Sequence, residues 1–329
     1  MVSSGFISDI ISGFLDVSGG HSIYYEIHGN RNGPKAVILH GGPGGGSHRS
    51  MLHIYDLSKW CVLIFDQRGC GKSKPFLELR HNTTWDLVED IEALRCMIGV
   101  EKWFVSGGSW GTTLALVYAQ KYPMRVTGLL LRGLCFCDNN SFRWLYEEGG
   151  ASEVYPEIWE KYIAVLPMKL RKAGWMQIAR YFNKGLKGPH KMRFANAWWK
   201  WEAAVSHLVQ IPDTANASET LALAILENHY FVNSCWLKDY EILRGLHRLR
   251  HIPITIVHGR YDMVCPVSAV HQFKKALPHT NVIITLAGHA GMEKETVHGL
   301  KQSTLKALKF NKKTKSTCTR THKKVKSIL

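Results

Sequence analysis

The stretch at residues 105–113 constrains the fold of this chain more than any other part of the sequence. It places Ser109 between Gly107 and Gly111, with an apolar run at 103–105 before it and a Leu- and Ala-rich run after it. A serine on a tight turn between a strand and a helix needs glycine two positions away on each side, because larger side chains collide across the turn. The pattern therefore predicts a nucleophile elbow. A glycine-rich turn with an incidental serine is the less favoured alternative.

Short apolar runs alternate with helical patterns in the first and last parts of the chain. Strands are predicted at residues 22–27, 36–39, 61–65, 103–105, 129–131, 254–257 and 282–284, and helices from Thr83, from Thr112 and over 297–310. Continuous apolar strands of this kind are typical of a parallel sheet that is covered on both faces. The alternation predicts an α/β fold with a mostly parallel sheet and helices on both faces.

Residues 138–250 have a different pattern, because strand-like runs give way to helical stretches rich in Trp, Tyr and Phe. This change predicts a helical lid, inserted into the α/β core and placed over its active site. The expected domains are a first core segment at 1–137, the lid at 138–250 and a second core segment at 251–310. A basic tail at 311–329 is expected to be disordered.

Charge and cysteine content limit the possible partners and compartment. The net charge of +16 is concentrated in residues 301–329, which contain no Asp or Glu. Aromatic side chains are not interleaved with these lysines, so we expect no nucleic-acid partner. The eight scattered cysteines are typical of free thiols in a reducing compartment. Because neither a signal-peptide pattern nor a membrane-spanning apolar run is found, the sequence predicts a soluble, cytoplasmic protein with no membrane partner.

A nucleophilic serine needs a general base, and that base needs a carboxylate to orient it. Asp262 follows the predicted strand at 254–257, and His289 follows the strand at 282–284. Both lie past the carboxyl ends of strands, where open α/β sheets place their sites, and the chain order is Ser, Asp, His. The predicted triad is therefore Ser109, Asp262 and His289. His258 is expected to be structural, and loop capping is the alternative role for Asp262.

The glycine-rich loop at residues 40–46 follows another predicted strand. Its backbone N–H groups are suited either to a developing oxyanion or to a phosphate. A phosphate loop needs a glycine five residues before its Gly-Lys-Ser end, but Asp66 occupies that position before Gly71. The oxyanion role is therefore favoured, and neither a cofactor nor a metal ion is expected.

A series of motifs resembles the proline iminopeptidases, which are α/β-hydrolase serine peptidases that remove an N-terminal proline. They lie at residues 13–17, 40–46, 66–69 with Ser73, 107–113, 131–133, 259–262 with Cys265 and Pro266, and 288–289. The resemblance implies the α/β-hydrolase fold with an inserted lid and the triad given above. It also implies oxyanion donors in the backbone of Gly42 and Trp110. The implied substrates are peptides with a free N-terminal proline.

The same resemblance implies that two lid glutamates hold the charged imino group of the substrate. Glu202 ends a tryptophan-rich run, and Glu227 begins a second acidic motif at 227–231. A cation held beside apolar walls needs carboxylate partners, although without the resemblance each glutamate would be interpreted as an exposed helix residue. Tyr146 and Cys135 are further substrate-binding candidates. Cys135 departs from the family, which usually has phenylalanine there.

Three functions are compatible with these motifs. The first is a serine exopeptidase that forms an acyl-enzyme at Ser109 and releases N-terminal proline. The second is an esterase or lactonase, because one fold supports many substrates. The third is a non-catalytic binding protein, against which the intact triad argues. Paired lid glutamates favour the first over the second, since a neutral ester does not need them.

Overall fold

The computed structural model describes residues 10–209 and 216–325, and the apolar runs of these residues form one eight-stranded sheet. The strands are β1 (Ile11–Val17), β2 (His21–Gly29), β3 (Lys35–Leu39), β4 (Cys61–Phe65), β5 (Trp103–Gly108), β6 (Val126–Arg132), β7 (Ile254–Gly259) and β8 (Asn281–Thr285). Their order is β1-β2-β4-β3-β5-β6-β7-β8. The pairs β1–β2 and β2–β4 are antiparallel, and every other pair is parallel. The predicted mostly parallel α/β sheet is confirmed.

Helices cover both faces of this sheet, as predicted. The α-helices are α1 (Thr84–Met97), α2 (Trp110–Lys121), α3 (Asn139–Tyr146), α4 (Pro156–Ile163), α5 (Trp175–Leu186), α6 (Lys191–Ser206), α7 (Ala217–Val232), α8 (Glu241–Gly245), α9 (Ser268–Ala276) and α10 (Lys294–Val325). Thr83 and Asp86 form a capping box that starts α1 where the sequence predicts a helix. Alternate strand residues point to opposite faces, so Val37 packs with α1 and α2 while Ile38 packs with Leu300 of α10.

The segment between β6 and β7 contains α3 to α8, and no strand occurs in its described residues. Its many aromatic side chains pack on one another and continue the hydrophobic core of one face of the sheet. The rings of Tyr162 and Phe182 stack with their centroids 4.8 Å apart, and Trp201 stacks on Tyr162 at 5.8 Å. Large, rigid rings bury much apolar area at low entropic cost, so a thin helical layer gains a packed interior and holds its shape above the sheet.

Two elements are not indicated by the sequence pattern. β1 is an edge strand in which Ile11 and Phe14 are each 48% exposed, so it lacks the continuous apolar run of the inner strands. The short helix α9 buries only Val270 and Phe273, which is too few apolar positions to define a helical period. In both cases the pairing with neighbouring elements, rather than the local pattern, fixes the structure.

The last helix extends beyond the predicted end at residue 310. α10 continues through Val325, so most of the segment expected to be disordered is helical, and residues 326–329 lie outside the described part of the chain. No Gly or Pro interrupts residues 301–325, and lysine has a high helix propensity, which together explain the continuation. Within the described ranges, no helix has both the length and the apolar composition needed to cross a membrane.

Candidate active site

Ser109 lies on a strained turn between β5 and α2. Its backbone has φ 56° and ψ −125°, a conformation that non-glycine residues rarely adopt. A Cβ added to Gly107 would lie 2.1 Å from the carbonyl oxygen of Gly111. One added to Gly111 would lie 2.1 Å from the carbonyl oxygen of Leu39. The turn therefore requires both glycines, and it has the geometry of the predicted nucleophile elbow.

The glycine-rich loop at residues 40–46 passes directly beside this elbow. A Cβ on Gly41 would lie 3.3 Å from the Cβ of Ser109, and Gly42 lines the same cavity as Ser109. Trp110 is the first residue of α2, so its N–H belongs to the first turn, which has no intrahelical acceptor. Gly42 and Ser109 thus line one cavity, and Trp110 lies at a helix N-terminus, which favours negative charge.

A buried network connects these two backbone segments. His40 contacts the carbonyl oxygen of Gly41 through Nδ1 at 2.8 Å and accepts from the N–H of Gln67 at Nε2, at 3.0 Å. Gln67 donates from Nε2 to the carbonyl oxygen of His40 at 3.0 Å and accepts from Nε1 of Trp110 at 2.9 Å. Burial lowers the pKa of His40, which keeps the ring neutral. Gln67 has no role in the sequence-based prediction, because only the folded chain brings it under Trp110.

Asp262 and His289 form a hydrogen-bonded pair past the ends of β7 and β8. Nδ1 of His289 lies 2.8 Å from Oδ2 of Asp262, and both residues are buried. Oδ1 of Asp262 accepts from the N–H groups of Val264 at 3.1 Å and Cys265 at 2.7 Å. Burial alone would raise the pKa of Asp262, but the charge and hydrogen bond of His289 outweigh it and lower that pKa. An ionised Asp262 fixes Nδ1–H and leaves Nε2 as the base.

The serine and the histidine line one cavity of about 890 Å³, together with Gly41 and Gly42. Among the hydrogen bonds of the described residues, none involves Oγ of Ser109. Nε2 of His289 instead has Nη1 of Arg132 at 3.4 Å, and the same Nη1 donates to the carbonyl oxygen of His289 at 2.7 Å. Arg132 ends β6 and belongs to the 131–133 motif, but the sequence alone gives it no role. Its guanidinium holds the backbone of the loop that carries His289.

His258 contacts the backbone of two loops and approaches the carboxylate of Asp262, with its Nε2 3.7 Å from Oδ2. Its Nδ1 accepts from the N–H of Leu134 at 3.0 Å, and its Nε2 lies 2.8 Å from the carbonyl oxygen of Cys265. Burial lowers the pKa of this ring. The imidazole therefore connects the end of β7 to two loops of the site without facing the cavity.

Glu202 on α6 and Glu227 on α7 line the cavity opposite Ser109. Their carboxyl groups hydrogen-bond each other, and Glu227 is only 3% exposed. Tyr146 donates its hydroxyl to Glu202, and Nε1 of Trp198 donates to Glu227 at 2.7 Å. Burial raises the pKa of both carboxyl groups, most strongly that of Glu227. The helical segment between β6 and β7 thus holds a pair of carboxyls that are costly to ionise unless a cation joins them.

A small recess of about 40 Å³ lies between the elbow and the two glutamates. All four substrate-binding candidates line it, and so do Ser109 and Trp110. The other lining residues include Phe231, Cys137, Val264 and Cys265, which the sequence-based prediction does not assign to the substrate. Phe231 belongs to the acidic motif at 227–231, and that motif is the signal from which it could have been found.

One group of side chains could in principle hold a metal ion. Among the described residues, Asp262, Cys265 and His289 present ligand atoms that lie within 4.8 Å of one another. The same oxygen and nitrogen atoms of Asp262 and His289 already bond each other directly. The arrangement is therefore explained by the acid–base pair, and its chemistry needs no ion.

Comparisons with known proteins connect this geometry to a family. A model of the alpha/beta hydrolase fold matches residues 37–296. The chain is 43% identical over 290 residues to the probable proline iminopeptidase of Leptolyngbya boryana, covering 86% of this chain and 89% of that one. It is 40% identical over 303 residues to the proline iminopeptidase of Neisseria meningitidis, covering 89% and 94%. The chain belongs to the proline iminopeptidase family of α/β hydrolases.

Solved structures support the same fold. The proline iminopeptidase of Mycobacterium smegmatis has a TM-score of 0.56 at 18% identity, covering 91% of this chain and 99% of that one. A bacterial membrane phospholipase A has a TM-score of 0.63 at 17% identity, covering 91% and 87%. Since these identities are low and the activities differ, the likeness concerns the fold, and the resemblance of this chain to proline iminopeptidases rests on its sequence.

Proposed function

We propose that this protein is a serine exopeptidase that releases proline from the N-terminus of peptides. The observation that supports this most is the pair Glu202 and Glu227, which share one cavity with Ser109. Two hydrogen-bonded, buried carboxyls form a site for a single cation. An N-terminal proline carries such a cation on its secondary amine, in the same residue whose carbonyl is attacked.

The proposed reaction proceeds through an acyl-enzyme. Oγ of Ser109 attacks the first peptide carbonyl while Nε2 of His289 takes its proton, and Asp262 stabilises the imidazolium through Nδ1. The N–H groups of Gly42 and Trp110 stabilise the oxyanion. His289 then protonates the leaving amine, and water repeats the sequence to release proline. The hydrogen bond between Oγ of Ser109 and Nε2 of His289 forms when substrate binds, since catalytic hydrogen bonds are often long in free enzymes.

Substrate selection is assigned to the lid. The imino cation lies between Glu202 and Glu227, and the proline ring occupies the recess beside Cys135 and Tyr146. Because the cation fixes the N-terminus, only the first carbonyl reaches Ser109. Endopeptidase activity is excluded by this arrangement, since an internal residue has no charged nitrogen to bind.

The proposed setting is the cytoplasm, with peptides as substrates. Seven cysteines in the described residues are free thiols, which accords with a reducing compartment. We assign no nucleic-acid role to the basic helix α10, and no cofactor to the reaction.

Comparing three substrates tests the proposal. We expect kcat/KM for a prolyl arylamide to exceed that for the alanyl arylamide. Both values should be high relative to kcat/KM for a neutral aryl ester. Ser109→Ala should lower kcat by several orders of magnitude on every substrate, because the nucleophile is lost. A wild-type enzyme that cleaves the ester rapidly and the prolyl arylamide hardly at all would support the esterase alternative instead.

A further inference from the structure

Four cysteines form a continuous row of thiols at the base of the lid. The Sγ atoms of Cys135 and Cys137 are 3.4 Å apart. Cys265 lies close enough to Cys135 to lower its pKa, and Cys235 lies close enough to Cys137 to raise its pKa. None of the four is in a disulfide. We call Cys135, Cys137, Cys235 and Cys265 the thiol row.

This row opens into the recess proposed to hold the proline ring. Cys135, Cys137 and Cys265 line that recess beside Ser109 and Glu227. Cys135 is the only half-buried member of the row, and the other three are buried. A small solute that enters the recess therefore meets the thiol of Cys135 first, with the thiol of Cys137 in contact behind it.

We propose that Cys135 and Cys137 are a modification site: a dithiol that peroxide oxidises to a disulfide, closing the recess to substrate. The effect on activity rests on the proposed function, whereas the disulfide itself does not. Their Cα atoms are two residues apart and so cannot be farther apart than about 7 Å, a separation that a disulfide bridges with little backbone movement.

The chemistry of the step is balanced with hydrogen peroxide as the oxidant. The thiolate of Cys135 attacks one peroxide oxygen, which gives a sulfenic acid and, after protonation, one water. The thiol of Cys137 then attacks that sulfur, forming the S–S bond and releasing a second water. Two thiols are oxidised and one peroxide is reduced. Hydrogen bonds from Cys137 and Cys265 lower the pKa of Cys135, and Cys135 raises that of Cys137, which makes Cys135 the attacking sulfur.

The disulfide would act on the nucleophile through helix α2. Bonding brings the two sulfur atoms from 3.4 Å to about 2.0 Å. Thr112 accepts from the N–H of Cys135 at 2.9 Å, and Thr113 donates to its carbonyl oxygen at 2.9 Å. These threonines belong to the first turn of α2, next to Ser109. Movement of Cys135 therefore changes both the wall of the recess and the turn that carries the oxyanion donor.

Peroxide treatment followed by two independent measurements tests this proposal. We expect the wild type to lose the mass of two hydrogen atoms, to yield a non-reduced peptide linking Cys135 with Cys137, and to lose most of its activity. A thiol reductant should restore both mass and activity. Each variant is compared with its own untreated activity, on a prolyl arylamide and on an aryl ester. If the enzyme does not cleave the arylamide at all, the mass and ester measurements still report on the dithiol.

Two substitutions separate the dithiol from other thiols. In Cys137→Ser the Cys135–Cys137 disulfide cannot form, so peroxide should add oxygen to Cys135 instead of removing two hydrogen atoms, and no peptide linking residues 135 and 137 should appear. Cys96→Ser removes an exposed cysteine outside the row and should behave as the wild type. The proposal is overturned if treated wild type keeps both thiols reduced, if the disulfide joins Cys135 to Cys265, or if Cys137→Ser also loses the mass of two hydrogen atoms.

Discussion

At the scale of single residues, Glu227 combines a functional advantage with a cost to stability. Burial and the neighbouring carboxyl of Glu202 raise its pKa well above the ordinary value of 4.5, against the smaller, opposite effect of the hydrogen bond from Trp198. Above pH 4.5 the unfolded chain has released the proton of this carboxyl, whereas the folded protein still holds it. Stability consequently falls as the pH rises through this range.

Removing that charge should stabilise the fold. In Glu227→Gln the amide can still accept from Trp198 and can donate to Glu202, but it never ionises. We expect a higher Tm than wild type at pH 8, by roughly 2–4 °C for about 1 kcal/mol. The difference should shrink as the pH falls toward 4.5 and vanish well below it, where the wild-type carboxyl is protonated in both states. Thermal unfolding at several pH values measures this. The exposed Glu148→Gln is the control and should not change Tm at any pH.

The pair Glu202 and Glu227 should make the preference for a prolyl arylamide over a neutral ester depend on pH. At low pH the raised pKa values keep Glu202 and Glu227 protonated, so the pair cannot hold a cation. The ratio of kcat/KM for a prolyl arylamide to that for a neutral aryl ester should therefore rise with pH, then fall when the substrate amine deprotonates. Taking the ratio removes the shared requirement for neutral His289. A ratio that stays constant from acid to alkaline pH would contradict this role for the glutamates.

At the scale of elements, the elbow was the most predictable part of the site. Three residues with a fixed spacing specify it, and the steric reason is local: Gly107 and Gly111 leave no room for a Cβ. The inner strands were also predictable, because each is a continuous apolar run. β1 and α9 were not, since an edge strand and a short helix are defined by their neighbours. The length of α10 was underestimated because its lysines were interpreted as a disordered tail.

Replacing one elbow glycine tests the local argument. In Gly111→Ala the new methyl group would overlap the carbonyl oxygen of Leu39, and the strand must shift to accept it. We expect destabilisation of about 1–3 kcal/mol or more, together with a large loss of kcat. Gly188→Ala is the matched control, because a Cβ there makes only an ordinary contact at 3.4 Å. Urea unfolding and steady-state kinetics measure these two effects in both variants. Similar values for Gly111→Ala and Gly188→Ala would contradict the steric explanation.

At the scale of the whole molecule, the site depends on contacts that sequence spacing does not reveal. The order of Ser109, Asp262 and His289 can be read along the chain. Gln67 contacts Trp110, and Arg132 contacts His289, only after the loops meet at one edge of the sheet. The family resemblance, rather than helical periodicity, selected the two lid glutamates. Their pairing depends on how α6 and α7 pack over the elbow, which no local pattern encodes.

The central claim is that Glu202 and Glu227 of the lid bind the positively charged N-terminus of the substrate. It is tested most directly by the kcat/KM values of the wild type for prolyl, N-methylprolyl and N-acetylprolyl arylamides. The methyl group adds bulk but keeps the charge, whereas the acetyl group removes the charge, so no ion pair forms with the buried carboxyls. Removing one partner of a buried ion pair costs roughly 3–5 kcal/mol, so we predict at least about a hundredfold lower value for the acetylated substrate, with the methylated one in between. Equal cleavage of the free and acetylated substrates would contradict the account.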